Sequence, residues 1–148
     1  MILLDTNLLG RITDSADPQH VLARRAIHTL LSKAERLMIV PQNLYEFWAV
    51  ATRKPGPPPG GQNGLGMTPD QTSHWLRCFQ RRFTLLPDRE DLLDQWHELV
   101  SALGITGFRS HDERLVAAMK TYGITRLLTF NAHDFKRFPI TVLDPASV

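Results

Sequence analysis

Apolar positions along this chain alternate between two patterns. Short runs recur at Ile2-Leu3-Leu4, Leu37-Met38-Ile39-Val40, Thr84-Leu85-Leu86, Arg126-Leu127-Leu128-Thr129 and Ile140-Thr141-Val142-Leu143. Their length and bounding breakers are those of buried strands. Between them the apolar residues take helical spacing. Over 18–34 these are Val21, Leu22, Ile27, Leu30 and Leu31, with Asp17 as cap and Pro18 in the first turn. Pro41 closes the second strand and opens a helix over 42–53, with Leu44, Phe47, Trp48 and Ala51 on one side. Thr68-Pro69-Asp70 starts a third helix that runs to Arg82, with Thr68 as cap. A fourth covers 89–103 and buries Leu92, Leu93, Trp96, Leu99, Val100 and Leu103 before Gly104 stops it. The fifth runs from Ser110 to Tyr122, where Ser110 and Glu113 have capping-box spacing and Gly123 ends the helix. Strands alternating with helices predict an α/β fold, a mainly parallel sheet covered on both faces.

The segment 55–66 interrupts this rhythm. Its four prolines and five glycines in twelve residues match neither period, so it reads as a mobile loop inside one domain spanning 1–148. The part before it is too short to hold a core of its own. No apolar run approaches the roughly 20 residues of a membrane span, and strand-like sequence begins at once, which argues against a signal peptide. The single cysteine, Cys78, excludes an internal disulfide and fits a reducing cytoplasm. With no second thiolate and no ligand spacing among the histidines, a Cys/His zinc site is not expected.

Acids recur where such a fold keeps its chemistry. The first strand breaks into Asp5-Thr6-Asn7, and open α/β sheets bind ligands just past the carboxyl ends of their strands. Glu46 lies a turn and a half into its helix among Leu44, Phe47 and Trp48, and a desolvated carboxylate needs a partner or a metal. Asp112 sits in the first turn of the fifth helix, where the helix dipole alone would favour an acid. Asp134 follows the strand end Thr129-Phe130-Asn131, from which Thr129 could order a metal-bound water. Asp5 as a helix cap, Glu46 on a polar face and Asn131 in a plain turn are the ordinary alternatives. Together the carboxylates predict a Mg²⁺ or Mn²⁺ site for phosphoryl chemistry, where bound metal orients a phosphodiester and activates water. The net charge is only +2 with pI about 9.0, so acids gathered in one pocket leave a more basic surface elsewhere. Arg24, Arg25, Arg53, Lys54, Arg77, Arg81 and Arg82 are the contributors, as a metal-dependent nuclease would want, with solvated helix faces as the ordinary reading of each one alone.

The runs Ile2-Leu3-Leu4-Asp5-Thr6-Asn7, Glu46, His111-Asp112-Glu113-Arg114-Leu115-Val116-Ala117-Ala118 and Leu127-Leu128-Thr129-Phe130-Asn131-Ala132-His133-Asp134-Phe135 resemble, in order and spacing, the PIN-domain ribonucleases. Within that family the sequence is most similar to the VapC-type toxins of type II toxin–antitoxin pairs. The resemblance implies a three-layer α/β/α domain, Mg²⁺- or Mn²⁺-dependent cleavage of RNA and a homodimer. It also implies a small cognate antitoxin whose C-terminal segment crosses the active-site groove. By position, Asp5 and Asp112 match the core metal ligands, Glu46 the second acid and Asp134 the last, with Asn7, Thr129 and Asn131 as auxiliary groups. Asn131 stands where many relatives carry an acid, which leaves Asp134 as the fourth ligand or a site with one tight metal. A haloacid-dehalogenase-like enzyme needs an acid two residues after Asp5, where this chain has Asn7, and no glycine-rich fingerprint supports a dinucleotide binder. The remaining alternative is a PIN-like module that binds RNA or protein without cutting.

Overall fold

The computed structural model describes residues 1–107 and 110–148, Ser110 by its backbone alone. Among these residues five strands form one sheet: β1 (Ile2–Leu4), β2 (Leu37–Ile39), β3 (Thr84–Leu85), β4 (Arg126–Leu128) and β5 (Thr141–Leu143). All pairings are parallel, in the order β3-β2-β1-β4-β5. Six α-helices connect them: α1 (Thr6–Thr13), α2 (His20–Ser32), α3 (Pro41–Thr52), α4 (Pro69–Arg82), α5 (Leu92–Leu103) and α6 (Ser110–Thr121). The expected three-layer α/β/α architecture is therefore present, with a wholly parallel sheet.

Strand alternation divides the core in two. Ile2, Leu4, Leu37, Ile39 and Leu128 face α1 to α4, whereas Leu3, Met38, Val40 and Leu127 face α5 and α6. With both faces covered, every position of the central strand β1 and of β2 is apolar and buried, as the interior of a parallel sheet requires. Phe47 and Phe79 meet edge to face at 4.9 Å and bind α3 to α4. Burying each ring contributes about 2 kcal/mol, and the ring geometry about 1 kcal/mol more.

Several boundaries and faces differ from the sequence reading. The Asp17 carboxylate accepts from the Gln19 backbone N–H at 2.7 Å, so Asp17-Pro18 builds a turn and α2 starts only at His20. Val21 is then 76% exposed. Residues 89–91 likewise precede α5, and Leu93 and Leu103 point outward because the face of α5 against α6 is narrower than its apolar stripe. Trp48 is also exposed, since α4 covers the Phe47 side of α3. Thr68 caps α4 as expected, in a reciprocal pair with Gln71. The capping-box reading at Ser110 lies outside the described side chains, and the Glu113 carboxylate is engaged by Arg137.

The glycine- and proline-rich segment folds back onto the C-terminal end of α3. Leu65 N–H and Met67 N–H donate to the Val50 and Ala51 carbonyls at 3.1 and 2.8 Å, and Gly66 N–H donates to Arg53 at 2.9 Å. These are the carbonyls a helix end leaves without partners. The loop thus caps the helix that carries Glu46.

Candidate active site

The strand order reverses at the centre of the sheet, with β2 and β3 on one side of β1 and β4 and β5 on the other. A crevice opens at such a switch point beyond the strand ends. Register then decides what meets there. Leu4 is paired with Leu128, so the next residues, Asp5 and Thr129, stand side by side. The Thr129 hydroxyl donates to Asp5 Oδ2 at 2.5 Å, and Asn7 Nδ2 donates to the same oxygen at 2.6 Å. Thr129 Oγ1 in turn accepts from Asn7 Nδ2 at 3.0 Å and from the Asn131 backbone N–H at 2.9 Å. Its hydroxyl is buried and fully committed, donating once and accepting twice, so Thr129 orients Asp5 and has no lone pair left to accept from a metal-bound water. Asp5 also caps α1, accepting from the Asn7 backbone at 3.4 Å. The capping and site readings of Asp5 are thus compatible.

Asp5 is pushed up to about 6. Burial is the main cause; the Thr129 and Asn7 hydrogen bonds oppose it, and the charges of Glu46 and Asp112 add to it. Asp112, half-buried in the first turn of α6, is raised too, first by burial and then by Asp134, Glu113 and Glu46, with Arg137 opposing. The end of β1, the helices α3 and α6 and the turn that follows β4 therefore bring acids into mutual electrostatic reach.

Glu46 is held from both sides. Its Oε2 accepts from Thr6 Oγ1 at 2.6 Å and its Oε1 from Gln42 Nε2 at 2.7 Å. Gln42 Nε2 also donates to the His111 carbonyl at 2.8 Å, and Gln42 Oε1 accepts from Arg114, which is ion-paired with Asp88 at 2.6 Å. One buried amide thus couples Glu46 to the turn of α6 that carries Asp112. Asn43, with no exposed surface, accepts from Val40 N–H at 2.8 Å and donates to the Leu4 carbonyl at 3.1 Å and to Thr6 Oγ1 at 3.2 Å. It fastens the start of α3 to the end of β1. Neither Gln42 nor Asn43 was singled out from sequence. The available signal was two adjacent amides in the first turn of a helix whose other residues are mostly apolar.

A cleft of about 550 Å³ collects these groups. Asp5, Glu46, Asp112, Asn7 and Asn131 line it, with Arg11, Arg53, Asn63 and Leu65 on its walls. Asp134 does not line it. It sits in a 3₁₀ turn, Ala132–Phe135, half-exposed beside the His133 ring at 3.7 Å, and acts on Asp112 through its charge. Of the basic residues named from sequence, Arg53 lines the acid cleft, while Arg24 and Arg82 line a separate one with Trp75. Arg11 was not anticipated; it packs over the Phe130 ring at 4.7 Å and donates to the Asn7 carbonyl at 3.0 Å.

Among the described residues, no three Asp, Glu, His or Cys side chains are drawn together closely enough to clasp one ion. The donor set nevertheless fits a hard divalent cation. All the converging ligands are oxygens, and the burial and repulsion that raise Asp5 and Asp112 are what a cation would relieve. Among the described residues no helix is long and apolar enough to cross a membrane.

Solved structures share this fold across almost their whole length. VapBC2 from Rickettsia felis, bound to a DNA fragment from its promoter, superposes with a TM-score of 0.67 at 19% identity, covering 97% of this chain and 98% of that one. VapBC-1 from nontypeable Haemophilus influenzae gives 0.67 at 17% identity, with 99% of each chain covered. Mycobacterium tuberculosis VapC20, a toxin that cleaves the sarcin–ricin loop, gives 0.63 at 15%, covering 95% and 98%. None of the curated proteins matches the sequence. The sequence model of the PIN domain matches residues 2–140, from β1 to the threshold of β5, and the chain belongs to the PIN-domain family.

Proposed function

We propose that this protein is a Mg²⁺- or Mn²⁺-dependent endoribonuclease and the toxin of a toxin–antitoxin pair. The observation that carries the reading is the convergence of Asp5, Glu46 and Asp112 on one cleft at the switch point of a parallel sheet, with Asp5 displaced upward by burial and neighbouring charge. Asp5, Glu46 and Asp112 would hold the metal, with Asp134 completing the set from the rim. The bound ion would supply charge neutralisation for the scissile phosphate and a lowered pKa for the attacking water. The protein's own contribution is orientation. Thr129 and Asn7 fix the Asp5 carboxylate, Thr6 and Gln42 fix Glu46, and the α6 backbone fixes Asp112. Arg11 and Arg53 are placed to meet backbone phosphates.

Support for the toxin role comes from the solved relatives, which include complexes of toxins with their antitoxins. A small antitoxin laid across the acid cleft is the corresponding partner here. A homodimer is proposed as well, with exposed apolar side chains such as Tyr45 on α3 and Leu93 on α5 as surface for it.

The test is cleavage of total bacterial RNA by the purified protein with Mg²⁺, with Mn²⁺ and with EDTA, beside Asp5→Asn and Asp112→Asn. Discrete metal-dependent fragments, absent in both folded variants, are expected. Full activity in Asp112→Asn would break the ligand assignment. Absence of cleavage by the metal-bound wild type would favour a binding module.

A further inference from the structure

The loop between α3 and α4 is more constrained than its composition suggests, and its constraint has a direction. Gln62 N–H and Gly64 N–H both donate to the Lys54 carbonyl, at 2.9 and 3.1 Å, and Asn63 N–H donates to the Gly56 carbonyl at 2.9 Å. The chain crosses itself so closely that a Cβ at Gly61 would lie 2.1 Å from the Pro55 carbonyl oxygen, and one at Gly64 would lie 2.1 Å from that of Arg53. Only glycine permits either approach. Between these two points Asn63 adopts a left-handed backbone, φ +52°, a conformation that is uncommon for a residue with a side chain. Asn63 lines the acid cleft, next to Leu65. No side-chain hydrogen bond of Asn63 occurs among the described residues, and the residue is exposed.

We propose that Asn63 is a specificity-determining residue, its amide reading the edge of an unpaired nucleobase beside the scissile phosphate while Arg53 holds the neighbouring phosphate. The inference rests on the ribonuclease reading above and adds the contact that chooses where the RNA is cut. An amide carries a donor and an acceptor side by side, the pattern that pairs with a base edge. Sequence-specific RNA recognition falls mainly on unstacked bases in loops and single strands, which such a cleft can admit. The backbone hydrogen bonds that pin the loop are what would make the contact selective, because a side chain on an unpinned loop would adapt to any base. Leu65 gives the base an apolar surface, and the loop's attachment to the end of α3 sets the distance from Asn63 to Glu46.

The experiment uses a short single-stranded RNA randomised at its central positions, sequenced after cleavage by wild type, Asn63→Gly and Asn63→Asp. Glycine suits the left-handed backbone, so Asn63→Gly removes the amide without straining the loop, and thermal melting checks that the fold is kept. The expected result is cleavage with base selection at one position weakened about tenfold, the size of one good base contact. Asn63→Asp, with its donor replaced by an acceptor, should shift the preferred base rather than abolish preference. In parallel, the same RNA pool is selected for binding to wild type and to Asn63→Gly in EDTA. If the wild type binds selectively but does not cut, the nuclease reading fails while loss of that selectivity in Asn63→Gly sustains this inference. Unchanged selection in both arms overturns it and leaves the loop as a protein-docking wall; absence of RNA binding by the wild type overturns it too.

Discussion

Replacing Asp5 by asparagine should stabilise the metal-free protein at neutral pH while removing its activity. The folded protein holds Asp5 at about 6 against an ordinary value of 3.8. A raised acid contributes its stability below the unfolded pKa and loses it as pH climbs through the folded one. Between about pH 4 and pH 7, ionising Asp5 therefore removes stability. A displacement of about two units at 1.36 kcal/mol each gives roughly 3 kcal/mol. The amide cannot ionise and escapes this cost. Its oxygen can still accept from Thr129 Oγ1 and Asn7 Nδ2, the two donors that now converge on Asp5 Oδ2. Its NH₂ group would face the Asn7 backbone N–H, a poor neighbour but a distant one at 3.4 Å. Allowing for that mismatch, the net gain should be about 1–3 kcal/mol at neutral pH.

The assay is urea unfolding in EDTA at a series of pH values, wild type beside Asp5→Asn. Titrations remote from Asp5 are common to both proteins and cancel in the difference, leaving Asp5 and the acids coupled to it, Glu46 and Asp112. Glu35, for example, is held below its usual range by its hydrogen bond with Arg126, so its contribution fades in the opposite direction, as pH falls. The difference curve should be near zero at about pH 4 and rise to a plateau above about pH 6. Adding Mg²⁺ or Mn²⁺ should lift the wild type by about 2.7 kcal/mol at one hundred times the dissociation constant, and the variant by much less. A stability difference that does not change with pH would refute the argument, because it would mean that Asp5 titrates normally in the fold.

Four shorter expectations follow from the same geometry. Gln42→Leu keeps the volume but orphans the His111 carbonyl and two charged neighbours; it should cost about 1–3 kcal/mol in urea unfolding and weaken Mn²⁺ binding measured by calorimetry, and unchanged Mn²⁺ affinity would remove Gln42 from the site. Asn43→Ala removes three hydrogen bonds, two of them buried, and should cost about 2–4 kcal/mol, with thermal melting as the readout. Gly64→Ala places a methyl against the Arg53 carbonyl and should release residues 55–66 to limited proteolysis at a cost of about 1–3 kcal/mol; a loop as resistant as wild type would contradict the crossing described. Binding of single-stranded RNA should weaken as salt rises, with a logarithmic slope of about −0.7 for each phosphate neutralised, and Arg53→Ala should flatten it by about one such contact.

What was legible in the sequence was whatever repeats. The strand runs and the helical spacing needed only local apolar pattern, and every expected strand is present to within a residue or two of its bounds. The positions of Asp5 and Asp112 were legible for the same reason, because a strand end and a first helical turn are places the pattern itself marks. Errors arose where a polar residue had two local uses. Asp17 can cap a helix or a turn, and only the finished packing of α2 decides for the turn. Leu93 and Leu103 fit a helical stripe, but the stripe is wider than the contact α6 offers. Asp134 is a different case: the 3₁₀ turn sets it beside the cleft that Asn131 lines, from where its charge reaches Asp112.

The parts that escaped the sequence are those made by pairs distant along the chain. Thr129 meets Asp5 because β4 lies beside β1 in one register; a slip of β4 by one residue would turn Thr129 to the other face. Gln42 and Asn43 look like ordinary first-turn residues until α6 and the end of β1 close around them. This division has a physical basis. Carboxylates that repel one another are the chemically informative part of the site, but they cannot assemble themselves. Uncharged amides and hydroxyls assemble them here, each satisfying several polar groups at once: Thr129 three, Gln42 three, Asn43 three. Such residues carry no charge pattern and no periodicity, so they become visible only when the acids they hold have been placed. The acids should therefore control metal affinity and activity, while the amides control the geometry at which that affinity is reached. Gln42→Leu and Asp5→Asn separate the two roles, since both should weaken metal binding but with opposite effects on the stability of the metal-free protein.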